Sequence, residues 1–281
     1  MVRTLFDIAA GHEPAEWLHC HLTMEISRHI FSYAVMNQDK KLLHLRVYAL
    51  DAHDNQELGE ELGNIIGTDE ILKNNAEKKT FIYNFPESQL VPEKYFHTDG
   101  GAALIELLNG DLNKGITLSE RIQGREEYNV YQVPAEIHSL LLRSFSNSKY
   151  WHYYSLWMLS EQKQPAAPGS SFSVLFYPNR VLVSAVKEGQ LHLLQSYVYE
   201  AAEDVAYYLL NICRQLQLSP ENTPVVLSGM IDVSSVLYTE IYKYFGQLSL
   251  EGFPGAASIP ALEEYPDHFF SPLLKLATCV S

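Results

Sequence analysis

Between residues 171 and 199 three apolar stretches follow one another with almost nothing between them. They are Phe172 to Tyr177, Arg180 to Val186 and Gln190 to Tyr199, separated only by Pro178-Asn179 and Glu188-Gly189. Runs of this length, rich in β-branched, leucine and aromatic residues and joined by two-residue turns, pair as antiparallel hairpins, which makes a three-stranded meander. From about Ala201 to Leu218 the period changes. Val205, Leu209, Ile212 and Leu216 now recur at helical spacing and share one face, until Ser219-Pro220 ends the helix. A short apolar run, Pro224 to Leu227, closes on Ser228-Gly229. Val233, Leu237 and Ile241 mark a second helix, Gln247 to Leu250 a further strand, and Phe269 to Cys279 a last helix. The order is βββαβαβ. A strand–helix–strand crossover forces parallel pairing, so the sheet is expected to be mixed and five-stranded, which is the ribonuclease-H-like topology.

The first half echoes this order without echoing its residues. Leu18 to Ile26, His29 to Met36 and Leu42 to Leu50 form a second meander, turned at Asn37-Gln38-Asp39-Lys40 and followed by a helical stretch from about Asn55 to Leu72. Thr80 to Phe85, an extension at Leu90-Val91-Pro92, a helix near Ala102 to Leu108, a strand from Tyr128 to Val133 and a helix from Ala135 to Phe145 complete it. Residues 85–127 read as an insertion. Residues 162–170, Gln-Lys-Gln-Pro-Ala-Ala-Pro-Gly-Ser, have the composition of a hinge, so the expected division is 1–161 and 171–281.

Composition narrows the function classes. Twenty basic against 34 acidic residues give a formal net charge of −14, which repels a polyphosphate partner and disfavours nucleic acid. No stretch approaches the roughly 20 apolar residues of a membrane span, and the acidic start of the chain (Asp7, Glu13, Glu16) lacks a secretory pattern, so a cytoplasmic protein is expected. Cys20, Cys213 and Cys279 are too few and too far apart for a disulfide framework or a zinc spacing.

Tandem units of this topology resemble the actin-like ATPase fold of actin, sugar kinases and pilus assembly proteins. In detail the chain is similar to an uncharacterised Bacteroidota family, domain-of-unknown-function family 3822. The likeness runs through Ser88-Gln89-Leu90-Val91-Pro92-Glu93-Lys94-Tyr95-Phe96, Val130-Tyr131-Gln132-Val133-Pro134 and Tyr150-Trp151-His152-Tyr153-Tyr154. The actin-like resemblance implies phosphate sites at the first hairpin of each subdomain, built on an Asp-x-Gly pattern, and a Gly-Gly pair for adenosine. Neither hairpin carries that pattern. The first is Glu25-Ile26-Ser27-Arg28-His29 and the second Tyr177-Pro178-Asn179-Arg180, where Pro178 removes an amide donor and no carboxylate stands by to hold magnesium. The adenosine position reads Leu227-Ser228-Gly229-Met230, with one glycine. A non-catalytic scaffold or protein-interaction module follows, with a protein partner or self-association and no cofactor.

The alternative is a binder of ATP or another phosphorylated ligand. The resemblance implies that the two hairpins face each other, so Ser27, Arg28, Asn179, Arg180, Ser228 and Gly229 are candidates to line a cleft, with the arginines gripping a small anion. His19, His21 and His44 are weak candidates for a metal clasp, set against the plain reading of strand histidines. Glu25, Glu57 and Glu136 are weaker candidates for a nuclease-type carboxylate cluster. Trp151, Tyr154 and Trp157 belong to a dense aromatic cluster that either packs internally or anchors a partner.

Overall fold

The computed structural model describes residues 2–9, 19–74, 76–110, 115–162, 169–252 and 262–280. Leu18 and residues 163–168 of the expected hinge lie outside the described residues. The chain divides into two compact units, Met1–Lys163 with Leu276–Ser281, and Gln164–Lys275.

In the first unit β1 (Arg3–Ala9), β2 (His21–Ile26), β3 (Ile30–Met36), β4 (Leu42–Ala49), β5 (Lys78–Tyr83) and β9 (Ser148–His152) form one sheet in the order β1-β4-β3-β2-β5-β9. The β2–β3–β4 meander is antiparallel, while β5 and β9 run parallel to β2 and to each other. This is the expected mixed five-stranded sheet with β1 added antiparallel along β4. One face of the sheet, carrying Leu22, Met24, Phe31, Tyr33, Phe81 and Tyr83, packs on α1 (Asn55–Thr68) and α3 (Ala135–Ser144). Leu58, Leu62 and Ile65 of α1 are buried at helical spacing, each contributing about 1.5–3 kcal/mol by leaving water. Asp54 caps α1 by accepting the Glu57 amide at 2.9 Å.

The expected helix to Leu72 stops at Thr68 for a physical reason. Asp69 turns its carboxylate into the core, where it accepts the hydroxyls of Tyr33 (2.9 Å) and Tyr48 (2.7 Å) and pairs with Arg46 (2.9 Å). Those bonds satisfy a side chain with no solvent exposure.

The later elements of this unit differ from expectation. The strand expected at Tyr128 to Val133 is β8 (Glu127–Pro134), and it does not join the main sheet. It is the centre of a separate antiparallel sheet with β6 (Ser88–Pro92) and β7 (Gly115–Arg121), beside α2 (Gly101–Asn109). The fifth core strand is β9, followed by α4 (Tyr153–Gln162). Its five residues, Ser-Lys-Tyr-Trp-His, are too short and too aromatic for an alternating pattern to reveal them as a strand.

The second unit follows the expected order. β10 (Ser171–Tyr177), β11 (Arg180–Lys187), β12 (Gln190–Val198), β13 (Val225–Gly229) and β14 (Leu248–Leu250) give the sheet β12-β11-β10-β13-β14, with the last two parallel to β10. Phe172, Val174, Phe176, Val181 and Val183 pack with Val205, Leu209 and Ile212 of α5 (Ala202–Leu216) and Ile241 of α6 (Val236–Tyr242). Asp204 holds the start of α5 by accepting the amides of Glu200 and Ala201, and these bonds keep its carboxyl below the usual range. The last helix, α7, spans Asp267–Val280.

Candidate functional site

In open α/β sheets ligands gather beyond the carboxyl ends of the parallel strands, which here are the ends of β2 and β5 in one unit and of β10 and β13 in the other. These ends carry the sequence-predicted hairpins.

In the first unit the turn Ser27-Arg28-His29 is drawn tight by Ser27. Its amide donates to the Ile30 carbonyl (2.9 Å), and its hydroxyl accepts the Ile30 amide (3.1 Å). Arg28 leaves the turn sideways. Its guanidinium donates to Glu87 Oε1 at 2.9 Å and to Asn55 Oδ1 at 3.2 Å, and lies 5.9 Å from the Phe85 ring centre. Beneath it Glu25 is buried and accepts Asn84 Nδ2 at 2.6 Å, while the Asn84 amide donates to the Ile26 carbonyl at 2.9 Å. Buried Glu87 thus pairs with a part-exposed guanidinium. The charge of Arg28 is already balanced, which is poor ground for a phosphate.

In the second unit Arg180 is buried, its guanidinium 4.7 Å over the Tyr177 ring and 3.4 Å from the Ser196 hydroxyl. The Pro178-Asn179 turn is closed from β12. The Tyr199 hydroxyl donates to the carbonyls of Tyr177 (2.9 Å) and Pro178 (3.2 Å), and the Tyr199 amide to that of Asn179 (3.1 Å). At the neighbouring strand end Ser228 is buried and Gly229 sits at φ +78°, opposite Phe176. A Cβ on Gly229 would stand 2.4 Å from the Phe176 carbonyl oxygen, the same oxygen that accepts the Met230 amide at 2.9 Å. The glycine is therefore required by the chain's own close approach.

The histidines go to separate partners. His19 meets Glu77 at 3.2 Å on the surface, His21 bonds Thr80 at 2.9 Å, and His44 bonds Asp7 at 2.8 Å on β4, with β3 between it and β2. His21 is buried with its Nδ1 unpartnered, and burial, reinforced by Lys78 and Lys149, lowers its pKa to about 4. Glu25 lies in the core of its sheet end, Glu57 accepts the His53 amide at 2.9 Å, and Glu136 lines a groove of about 460 Å³ between α1 and α3. Among the described residues no three acidic, histidine or cysteine side chains converge as metal ligands. Tyr154 is buried edge-on to His152, so it offers no surface, while Trp151 and Trp157 are half-buried.

One polar cluster escaped the sequence reading. Glu120 of β7 accepts the His152 amide at 2.9 Å and the Ser155 hydroxyl, while Ser155 accepts Asn129 Nδ2 at 3.1 Å. Asn129 Oδ1 in turn accepts the Ser88 hydroxyl at 2.6 Å, and His152 Nε2 donates to the Phe85 carbonyl at 3.0 Å. The chain of bonds ties the small sheet to β9 and α4. Burial dominates at Glu120 and raises its pKa to about 7. No linear motif announces it, because its side chains come from five elements, β6, β7, β8, β9 and α4.

Two mixed βββαβαβ sheets, each with helices on its core face, define the actin-like ATPase fold. Solved structures of that class match nearly the whole chain. A Bacteroides thetaiotaomicron protein with actin-like ATPase fold and unknown function aligns with a TM-score of 0.75 at 16% identity, covering 86% of this chain and 94% of that one. The PilM–PilN type IV pilus biogenesis complex gives 0.55 at 11% identity, over 93% and 98%. The ethanolamine utilization protein EutJ from Carboxydothermus hydrogenoformans gives 0.52 at 6%, over 96% and 91%. Residues 13–248 match the family described as "Protein of unknown function (DUF3822)", and the chain belongs to that family. No curated protein matches it. No described helix is long and apolar enough to cross a membrane.

Proposed function

We propose that the chain is a non-catalytic, cytoplasmic scaffold of the actin-like fold that works by binding protein. The observation that carries this is the closure of both hairpins by their own unit's residues. Arg28 is held by Glu87 and Asn55, and the carbonyls of residues 177 and 178 are held by the Tyr199 hydroxyl. A phosphate entering at either hairpin would have to displace a charged or bifurcated bond and meet the Glu87 carboxylate or the amide-less Pro178. On this reading Ser27, Arg28, Asn179, Arg180, Ser228 and Gly229 are structural strand-end residues. The PilM–PilN complex supplies a precedent within the fold for a member found with a protein partner.

Calorimetry with magnesium-ATP, and thermal unfolding with sulfate or phosphate, test the reading. It expects no heat of binding and no rise in unfolding temperature at millimolar ligand. Saturable binding of magnesium-ATP overturns it in favour of a nucleotide site, and stabilisation by phosphate alone in favour of an anion site.

A further inference from the structure

Two polar atoms on β2 are buried and unmet. Thr23 is 1% exposed and its hydroxyl has no partner, while His21 is 5% exposed and bonds Thr80 through Nε2 at 2.9 Å but has no partner at Nδ1. A buried donor or acceptor left without a partner costs more than a typical hydrogen bond returns, so each calls for an occupant. Glu25, the next residue on the same face of the strand, meets Asn84. The unmet atoms are confined to the amino end of β2.

The sheet brings charge to the same place. Parallel pairing sets His21 beside Lys78, Thr23 beside Thr80 and Thr80 beside Lys149, and strand partners in register share a face. All five side chains therefore lie on the face opposite Leu22, Met24 and Phe81, toward the amino ends of β2, β5 and β9. Lys78 and Lys149 are exposed, and among the described residues neither ammonium has an ion-pair or hydrogen-bond partner. Glu77, next in the chain to Lys78, is taken by His19 at 3.2 Å. Both lysines act on His21. Together with burial, the larger cause, they hold its pKa at about 4, so at neutral pH the ring is uncharged and has one proton to place. In a chain of net charge −14 this is a local positive spot.

We infer that the amino ends of β2, β5 and β9 form a carboxylate-binding site, with Lys78 and Lys149 supplying the charge and His21 Nδ1 and the Thr23 hydroxyl the buried hydrogen bonds. His21 donates from Nδ1 in the tautomer whose Nε2 accepts the Thr80 hydroxyl. The donors select the anion. A carboxylate presents about four lone-pair positions on two oxygens, one for each of these groups, whereas a phosphate spreads its charge over more oxygens than they can meet. Its carboxylate comes either from a small free acid or from an acidic segment of a protein. The site lies at the other end of β2 from the Ser27-Arg28-His29 turn, so it goes beyond the scaffold reading and does not depend on it.

The test is nuclear magnetic resonance of the isotope-labelled full chain at neutral pH, titrated separately with succinate, a tetraglutamate peptide and phosphate. Succinate or the peptide is expected to shift the His21 ring nitrogens and the Thr23 methyl along one saturating curve, and the tighter of the two names the source of the carboxylate. Lys78→Met/Lys149→Met changes only exposed ammoniums and is expected to weaken that binding about tenfold or more with an unchanged circular dichroism spectrum. Thr23→Val separates binding from packing. Removing an unmet hydroxyl is expected to raise the unfolding temperature without ligand and yet to weaken binding. No saturable shift with either acid, binding that survives the double lysine variant, a Thr23→Val protein that binds as well as wild type, or a tighter response to phosphate than to both acids overturns the inference. Magnesium-ATP binding that leaves His21 and Thr23 unmoved overturns the scaffold reading alone, and a chain that binds neither acid nor nucleotide overturns this site alone.

Discussion

Replacing Glu120 by glutamine should change how the stability of the protein depends on pH. The folded chain holds this carboxyl at about 7 against an ordinary 4.5, because burial between β7, β9 and α4 outweighs the two hydrogen bonds that favour its charged form. A carboxyl raised on folding favours the folded state fully below its unfolded pKa, and that contribution is lost as the pH climbs through about 7. At about 1.4 kcal/mol per pKa unit the ceiling is roughly 3.4 kcal/mol, and the partial exposure of the residue brings it to about 2–3 kcal/mol. His21 acts in the opposite sense. Its pKa falls to about 4 on folding, so its contribution is present above about 6.5 and is lost as the pH drops. The two effects offset each other across the acid range and flatten the wild-type profile. Only the difference between wild type and E120Q isolates the carboxyl. Glutamine keeps an acceptor for the His152 amide, and its amide group can donate to Ser155. Urea unfolding of both proteins from about pH 5 to about pH 8 is expected to show E120Q gaining about 1.5–2 kcal/mol on wild type, since part of the effect is already lost at the lower end of that interval. Curves that stay parallel across it would refute the burial of that charge.

Two further substitutions probe the strand ends. Gly229→Ala puts a Cβ against the Phe176 carbonyl at a left-handed φ and is expected to lower the urea-derived stability by about 2–4 kcal/mol, with no effect confined to ligand binding. Arg28→Met leaves buried Glu87 without its guanidinium and is expected to destabilise by about 2–3 kcal/mol, while the Arg28→Met/Glu87→Met pair recovers most of that in a double-mutant cycle.

Hydrophobic period made the second unit legible almost residue by residue. Its strands and helices are local, and each carries a clear signal, such as the Val205, Leu209, Ile212 stripe of α5 or the two-residue turn at Pro178-Asn179. In the first unit the meander was equally plain. β1 was not, since an edge strand half exposed on both faces has no alternation to display. β8 is legible as a strand but the sheet it joins is not, because pairing is decided by long-range packing that no window of sequence contains. The strand-end candidates were located by topology. What holds them was hidden, since Arg28 and Glu87 stand 59 residues apart. Gly229 looked like half of a nucleotide motif, and the reason for its conformation became visible only beside the Phe176 carbonyl.

The two units solve one geometrical problem in unlike ways. Each sheet ends in a hairpin next to a parallel strand, a place where backbone polar groups must find partners. One unit closes it with an ion pair reaching from a turn to a loop after β5, the other with the hydroxyl of Tyr199, one residue past the end of β12. A shared ligand gripped from both hairpins would require matched chemistry at the two ends, as a phosphate does when it needs donors on every side. An acid-backed guanidinium at one hairpin and a ring-covered, proline-stiffened turn at the other are not matched.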